Sequence, residues 1–274
     1  MGVWAVYSVP QSIQEVFKRL NIISGVFWNR GGQAVNQDSL TLQQAVTGRG
    51  RAVMAVVSDG IGGLPEGENA SGYITEKLVE NFYGQLLSLV SRGKGAKFIR
   101  NSFLRCFCGI NEELRRYGEG KGIRLGATVS LLFIWRRRYM IFHLGDSRIY
   151  QYHSAAHESR RFSGAGPGLL TSDHSRGGHG IYRCMGSFPY DRPDIRSGII
   201  RGRCAFLLCT DGFYRTFDRE TMEALNPEEI TGEGQIERRL KAMASCARKK
   251  GEQDNMSAIY LIINGGKNEK DIVS

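Results

Sequence analysis

Long apolar runs are missing from this chain of 274 residues; the longest, 128–135 and 204–209, are only strand length. A membrane helix needs roughly 20 such residues, so no bilayer-spanning helix is expected. Cysteine is sparse, with six residues, no Cys-x-x-Cys and no metal-type pairing with the five histidines. A disulfide scaffold and a zinc module are thereby excluded, and reduced thiols of a cytoplasmic protein are expected. Residues 1–11 lack a positive region followed by an apolar core and a small-residue cleavage site, so no secretory signal is expected. Val6 also stands where a myristoylation start requires Ser or Thr. Internal repeats and low-complexity linkers are absent. So are an aromatic-basic stripe and a helix-turn-helix signature, which sets nucleic-acid binding aside despite a formal charge of +10.

What remains is 41% hydrophobic and 23% charged, enough apolar material for one globular domain and too much for a disordered chain. Apolar runs at 22–28, 39–46, 51–58, 127–135, 139–144, 148–153, 204–209 and 256–263 read as strands, many joined by short turns and therefore antiparallel. A helix is expected at 11–20. Ala70, Ile74, Leu78, Phe82 and Leu86 predict another from Glu66 to about Val90, and Ile99, Phe103, Phe107, Ile110 and Leu114 predict a third over 96–117, stopped by the Gly-rich 118–122. Residues 154–197 read as a loop-rich stretch, and two or three helices are expected between Asp218 and Lys250. Strand blocks separated by helix pairs predict an α+β domain with helices covering sheet faces.

Three strands run out into an aspartate at a glycine-bearing turn: 53–63, 139–148 and 205–213. Taken singly, each is a turn after a strand. Together with Asn36-Gln37-Asp38 and Asp254-Asn255-Met256-Ser257 they place five carboxylates, Asp38, Asp59, Asp146, Asp211 and Asp254, beside strand ends. Carboxylates, carbonyls and water suit hard divalent cations such as Mg²⁺ or Mn²⁺, and the lack of His and Cys argues against zinc. An all-oxygen cluster able to hold two ions matches the needs of in-line phosphoryl hydrolysis.

The ordered set Asn36-Gln37-Asp38, Asp59-Gly60-Ile61-Gly62-Gly63, Gly126-Ala127-Thr128, Gly145-Asp146-Ser147-Arg148, 170–175, Thr210-Asp211-Gly212 and Asp254-Asn255-Met256-Ser257 resembles the type 2C metal-dependent serine/threonine protein phosphatases in their short bacterial form. The resemblance covers about 22–264 and implies a four-layer α-β-β-α sandwich of two central antiparallel sheets flanked by helix pairs. It leaves 1–21 as an extension packed on the domain and 265–274 as a tail. It also implies that Asp59 bridges two Mg²⁺ or Mn²⁺ ions and that the Gly60 carbonyl binds one. Asp38, Asp211 and Asp254 would ligate directly or through water, and Asp146 would help to hold a third ion. A metal-bridging hydroxide would then attack phosphorus in line. Asn255 would buttress Asp254, and Arg148 would serve structure.

The chain departs from the family at three places. Gln33 stands where relatives carry an arginine that clamps the substrate phosphate, with Arg30 as the nearest replacement; a neutral amide supplies no charge and no bidentate contact. Ile61 replaces a histidine found in many animal members. The stretch after 171–175 is short, so the flap that shapes substrate choice is reduced or absent. His174 and His179 in this stretch read as ordinary polar loop residues. The resulting expectation is a cytoplasmic, monomeric protein serine/threonine phosphatase acting on phosphorylated proteins and opposing a Ser/Thr kinase. The alternative is a weakly active pseudophosphatase that binds phosphoproteins as a regulatory module.

Overall fold

Successive residues of the strand Gly50–Asp59 (β3) face two different cores. Ala52, Met54 and Val56 pack under helices, while Val53, Ala55 and Val57 pack against a second sheet. An all-apolar strand in which both alternating faces are buried requires a layer on each side.

The computed structural model describes residues 20–153, 167–176, 180–186 and 188–265. Its remaining strands are Leu20–Asn29 (β1), Asp38–Thr47 (β2), Gly126–Ala127 (β4), Val129–Trp135 (β5), Arg138–Leu144 (β6), Arg148–His153 (β7), Gly168–Leu169 (β8), Met185–Gly186 (β9), Asp194–Ile199 (β10), Arg203–Cys209 (β11) and Met256–Gly265 (β12). One sheet runs β10-β6-β5-β3-β2 and the other β1-β12-β11-β7-β8, with β4 and β9 forming a small separate pair. The inner layer joins Leu132, Ile134 and Ile141 to Phe206, Leu208, Ile259 and Leu261. Outside the first sheet lie Gly67–Asn81 (α1), Leu87–Ser91 (α2) and Ala96–Lys121 (α3), whose Phe103 and Phe107 meet Phe133 and Phe142. Outside the second lie Asp211–Tyr214 (α4), Arg219–Glu223 (α5) and Glu233–Lys249 (α6); Ile236, Leu240 and Met243 of α6 share a core with Tyr260 and Ile262. This is the expected four-layer α-β-β-α sandwich.

The details differ from expectation in instructive ways. The helix expected from Glu66 to Val90 contains a π-helical turn, Phe82–Leu86, between α1 and α2. Apolar residues spaced by four drift about 40° per step around an ideal α-helix. The wider π turn takes up that drift, and Ala70, Ile74, Leu78, Phe82, Leu86 and Val90 are all 0% exposed. The glycines at 118 and 120 do not stop α3, which continues to Lys121 and ends at Gly122, whose φ of 67° is left-handed. Its last turn is held by Tyr117 and Lys121, both bonded to Glu66. Strand 127–135 is broken at Thr128, and β10 lies in the stretch read as loop. Five of the six residues of β10 are exposed at the sheet edge, so it carries no apolar alternation to read. The helix expected at 11–20, the packing of residues 1–19 and the tail 266–274 lie outside the described residues; β1 and β12 themselves pair from Leu20 to Gly265. Among the described residues, no helix is long and apolar enough to cross a membrane.

Candidate active site

The hairpin register of β2 and β3 sets Asp38 directly opposite Asp59. Thr128, the residue that interrupts the β4–β5 run, holds the Asp59 backbone from both sides. Its N–H donates to the Asp59 carbonyl at 2.8 Å, and its hydroxyl accepts from the Asp59 N–H at 3.0 Å. Beyond Asp59, the Gly60 N–H donates to the Gln37 carbonyl at 3.1 Å. The loop that follows ends at Glu66, which accepts from Tyr117, Lys121 and Asn69; these donors lower its carboxyl to about 2.

The second sheet contributes Asp211, the first residue of α4, and Asp254, just before β12. The two are brought together because Gly212 packs on the Asp254-Asn255 backbone; a Cβ there would lie 2.2 Å from the Asn255 carbonyl oxygen. Thr210 ties the two sheets, since its hydroxyl donates to Asp38 Oδ2 at 2.8 Å and accepts from the Ser257 N–H at 3.0 Å. Asp146 is positioned from behind: the Tyr214 hydroxyl donates to its carbonyl at 2.8 Å. Arg148 stacks 3.9 Å from the Tyr214 ring and donates to Asp173 at 2.7 Å. Both contacts tie β7 to neighbouring segments.

The five carboxylates repel one another. Burial, followed by the charges of Asp38, Asp211, Asp254 and Asp146, raises Asp59 well above the usual carboxylate range. Burial pushes Asp38 up to about 7, with Asp211 and Asp254 adding to the shift, and Asp146 up to about 6, with Asp211 adding. Asp211 is also raised by burial, and Arg215 works in the opposite direction. Clustered carboxylates that hold protons this strongly are short of positive charge. Asp38 Oδ1 is buried with no hydrogen-bond partner among the described residues, an omission that costs about 1–3 kcal/mol unless a cation or water satisfies it. An all-oxygen donor set with an orphaned carboxylate oxygen suits a hard divalent ion. Among the described residues no group of three or more acidic, histidine or cysteine side chains is so placed that it could hold a metal ion, and Arg215 engages two of the five carboxylates, Asp211 and Asp254.

The sequence pattern of protein phosphatase 2C matches residues 29–259. The chain belongs to this family. It is therefore a phosphoprotein phosphatase by family, and solved structures share its fold. A bacterial serine phosphatase is 22% identical with a TM-score of 0.74, covering 90% of this chain and 100% of its own. The catalytic domain of the serine/threonine protein phosphatase PstP, solved in complex with two manganese ions, is 20% identical with a TM-score of 0.69, covering 89% and 99%. The serine/threonine phosphatase Stp1 from Staphylococcus aureus is 21% identical with a TM-score of 0.71, covering 89% and 95%. No curated protein matches the chain.

Within this protein phosphatase 2C domain, several side chains act differently from the reading of the sequence. The Asn255 side chain buttresses the loop before Asp38 more than it does Asp254. Its amide donates to the carbonyls of Arg30 and Val35, and its oxygen accepts from the Gln37 N–H; only its backbone N–H reaches Asp254. Gln33 is exposed on that loop, and the Arg30 guanidinium donates to the Ala34 carbonyl at 3.4 Å. His174 is no ordinary loop residue: it is buried, stacks 4.9 Å from His143, accepts from the Gly145 N–H and lies 3.1 Å from Asp194. His179 lies outside the described residues. Among the described residues of 167–193 there is no helix.

Arg215 went unread in the sequence. It forms a short contact with Asp211 and lies 3.5 Å from Asp254 and 3.3 Å from Glu252. The signal for it was there, since Asp211 and Arg215 are four apart at the start of a helical turn.

Proposed function

We propose that this protein is a Mg²⁺- or Mn²⁺-dependent serine/threonine phosphatase that removes phosphate from phosphoproteins and opposes a Ser/Thr kinase. The observation that carries the reading is the five-carboxylate cluster at the sheet ends, with Asp38 Oδ1 buried and unpartnered. Asp38, Asp59, Asp211, Asp254 and the Gly60 carbonyl would hold two ions, with Asp146 at a third, outer position. When bound, such ions supply the Lewis acidity that makes water nucleophilic at neutral pH and offset the charge on the phosphate. The protein's own part is positional: Thr128 fixes Asp59, Thr210 fixes Asp38, and Tyr214 fixes the Asp146 loop. With Ile61 in the glycine-rich turn, no imidazole there can donate a proton to the leaving oxygen, so that proton comes from solvent at the centre. The reading includes a monomeric cytoplasmic enzyme; what supports the compartment is that all six cysteines are free thiols, as a reducing environment keeps them.

Hydrolysis of p-nitrophenyl phosphate and of a phosphothreonine peptide tests the reading. Turnover with Mn²⁺ that stops in EDTA is expected; a folded protein that binds Mn²⁺ and turns over neither substrate would overturn it. The second reading, a phosphoprotein-binding pseudophosphatase, is favoured by two observations. Neutral, exposed Gln33 supplies no clamp, and Arg215 already pairs with two candidate ligands.

Restoring the clamp separates the readings further. Gln33→Arg is expected to lower KM for phosphosubstrates about threefold, the size of one exposed charge-assisted contact. Arg30→Ala in the same assay reports whether the native arginine already carries that contact: an unchanged KM in both variants places phosphate binding elsewhere.

A further inference from the structure

Behind the Asp254 side of the centre lies a hollow of about 430 Å³, bounded by the end of β1, the start of β12 and α6. Phe27 and Met256 contribute its apolar lining, and Arg30, Lys241 and Arg248 its charge. Among the described residues no acidic side chain lines it. Several basic side chains on this side of the molecule are paired, Arg215 with Asp211, Arg219 with Glu223, Arg239 with Glu229 and Lys250 with Asp218; Arg238 and Lys249 of α6 form no pair among the described residues but lie outside the hollow. Lys241 and Arg248, by contrast, are exposed and form no ion pair or hydrogen bond among the described residues, and Arg30 reaches only a backbone carbonyl. Three cations converging on one concavity without a counter-ion repel one another, and an anion relieves that repulsion.

The hollow and the carboxylate centre are two sides of one pair of loops. Gly31, in the left-handed region with φ 66°, packs so closely that a Cβ there would fall 1.9 Å from the Asp254 carbonyl oxygen. The Gly32 N–H donates to the Gln253 carbonyl at 2.8 Å. An extended peptide advances roughly 3.3 Å per residue, so a segment anchored at the centre can run on across this shared rim.

We infer that the hollow lined by Arg30, Lys241 and Arg248 is a subsite for a second phosphorylated residue of the substrate, a few positions from the one being hydrolysed. The inference rests on the phosphatase reading above. Two guanidinium groups and an ammonium match a phosphate dianion better than a single carboxylate, because the phosphate carries more charge and a third acceptor oxygen for the extra donors. The site selects phosphoproteins carrying clustered phosphates, and it places the recognition charge beside the reacting centre without crowding it.

The test compares two threonine-phosphorylated peptides of the same sequence, one with an added phosphoserine three residues away. With Mn²⁺, the wild-type protein is expected to show kcat/KM about threefold higher for the doubly phosphorylated peptide. In the Lys241→Ala/Arg248→Ala variant that ratio should fall to about one. The charge-matched control, Arg238→Ala/Lys249→Ala, alters exposed side chains outside the hollow and should keep the wild-type ratio. The same contrast should appear in the Kd of a fluorescent doubly phosphorylated peptide measured in EDTA, where no turnover occurs. Equal loss in both double variants would mean general attraction to a basic protein and would overturn the subsite, as would a retained ratio and Kd in Lys241→Ala/Arg248→Ala. Failure of the phosphatase reading looks different: p-nitrophenyl phosphate is not hydrolysed with Mn²⁺, while the Kd contrast in EDTA still decides the subsite.

Discussion

Asp59→Asn is expected to lower Mn²⁺-dependent hydrolysis on the order of a thousandfold while leaving the metal-free protein as stable as the wild type or more so. The two halves of this result come from the same crowding. Asp59 sits among Asp38, Asp211, Asp254 and Asp146, and burial together with their charges holds its proton far above the usual range. An amide of the same shape removes a charge that the folded protein disfavours, so nothing is lost without metal. With metal, the carboxylate proposed as the central ligand would have lost its charge, and a deficit of about 4 kcal/mol in transition-state stabilisation corresponds to about three orders of magnitude in rate. The measurements are kcat with Mn²⁺ and Tm in EDTA. A merely structural aspartate would reverse the pattern, with Tm falling and the activity of the remaining folded protein surviving.

The pH dependence has a defined sign. Asp38 and Asp146, at about 7 and about 6, bind protons more tightly folded than unfolded. Their effect is to remove stability from the metal-free protein as pH rises from about 4 through those values. His143 acts oppositely: burial lowers it to about 4, so it adds stability as pH rises from about 4 to 6.5. Above pH 6.5 only the carboxylates remain, and Tm in EDTA should fall between about pH 6.5 and 7.5. Saturating Mn²⁺ should flatten that fall, because the cation takes the place of the protons.

Much of this centre could be read in the sequence because its ligand chemistry is local. Asp59, Asp146 and Asp211 each stand beside a glycine where an apolar run ends, and Asp38 and Asp254 fall in short polar runs just where a strand begins. The four layers were expected from the family resemblance, and residues 52–57 of β3, all apolar, show why they form: such a strand needs cover on both faces. What escaped was set by tertiary contact. The edge strand β10 is mostly exposed and takes its conformation from pairing with β6, not from its own pattern. The break at Thr128 follows from the need to grip Asp59, and the run of α3 through two glycines follows from Glu66, some 50 positions earlier, holding its last turn. His174 looked like a loop residue because nothing local reveals that His143 lies under it.

Arg215→Ala is expected to lower Tm in EDTA by about 2–4 °C and to tighten Mn²⁺ binding about fivefold. In the metal-free protein the guanidinium is the nearest positive charge to Asp211 and Asp254, and it also reaches Glu252, which is buried and accepts from the Gln253 and Asp254 N–H groups. Its side chain is 49% exposed, so solvent screens the contacts and the whole arrangement contributes only about 1 kcal/mol. That corresponds to a few degrees in a domain of this size. A cation binding to Asp211 and Asp254 must displace the same guanidinium, so the same 1 kcal/mol opposes it; removing Arg215 returns about a factor of five in affinity. Titration calorimetry with Mn²⁺ and thermal melts in EDTA measure the two effects separately. Their opposite signs identify Arg215 as an internal counter-ion that competes with the metal: a variant less stable in EDTA that bound Mn²⁺ more weakly would show instead that Arg215 organises the ligands for the ion.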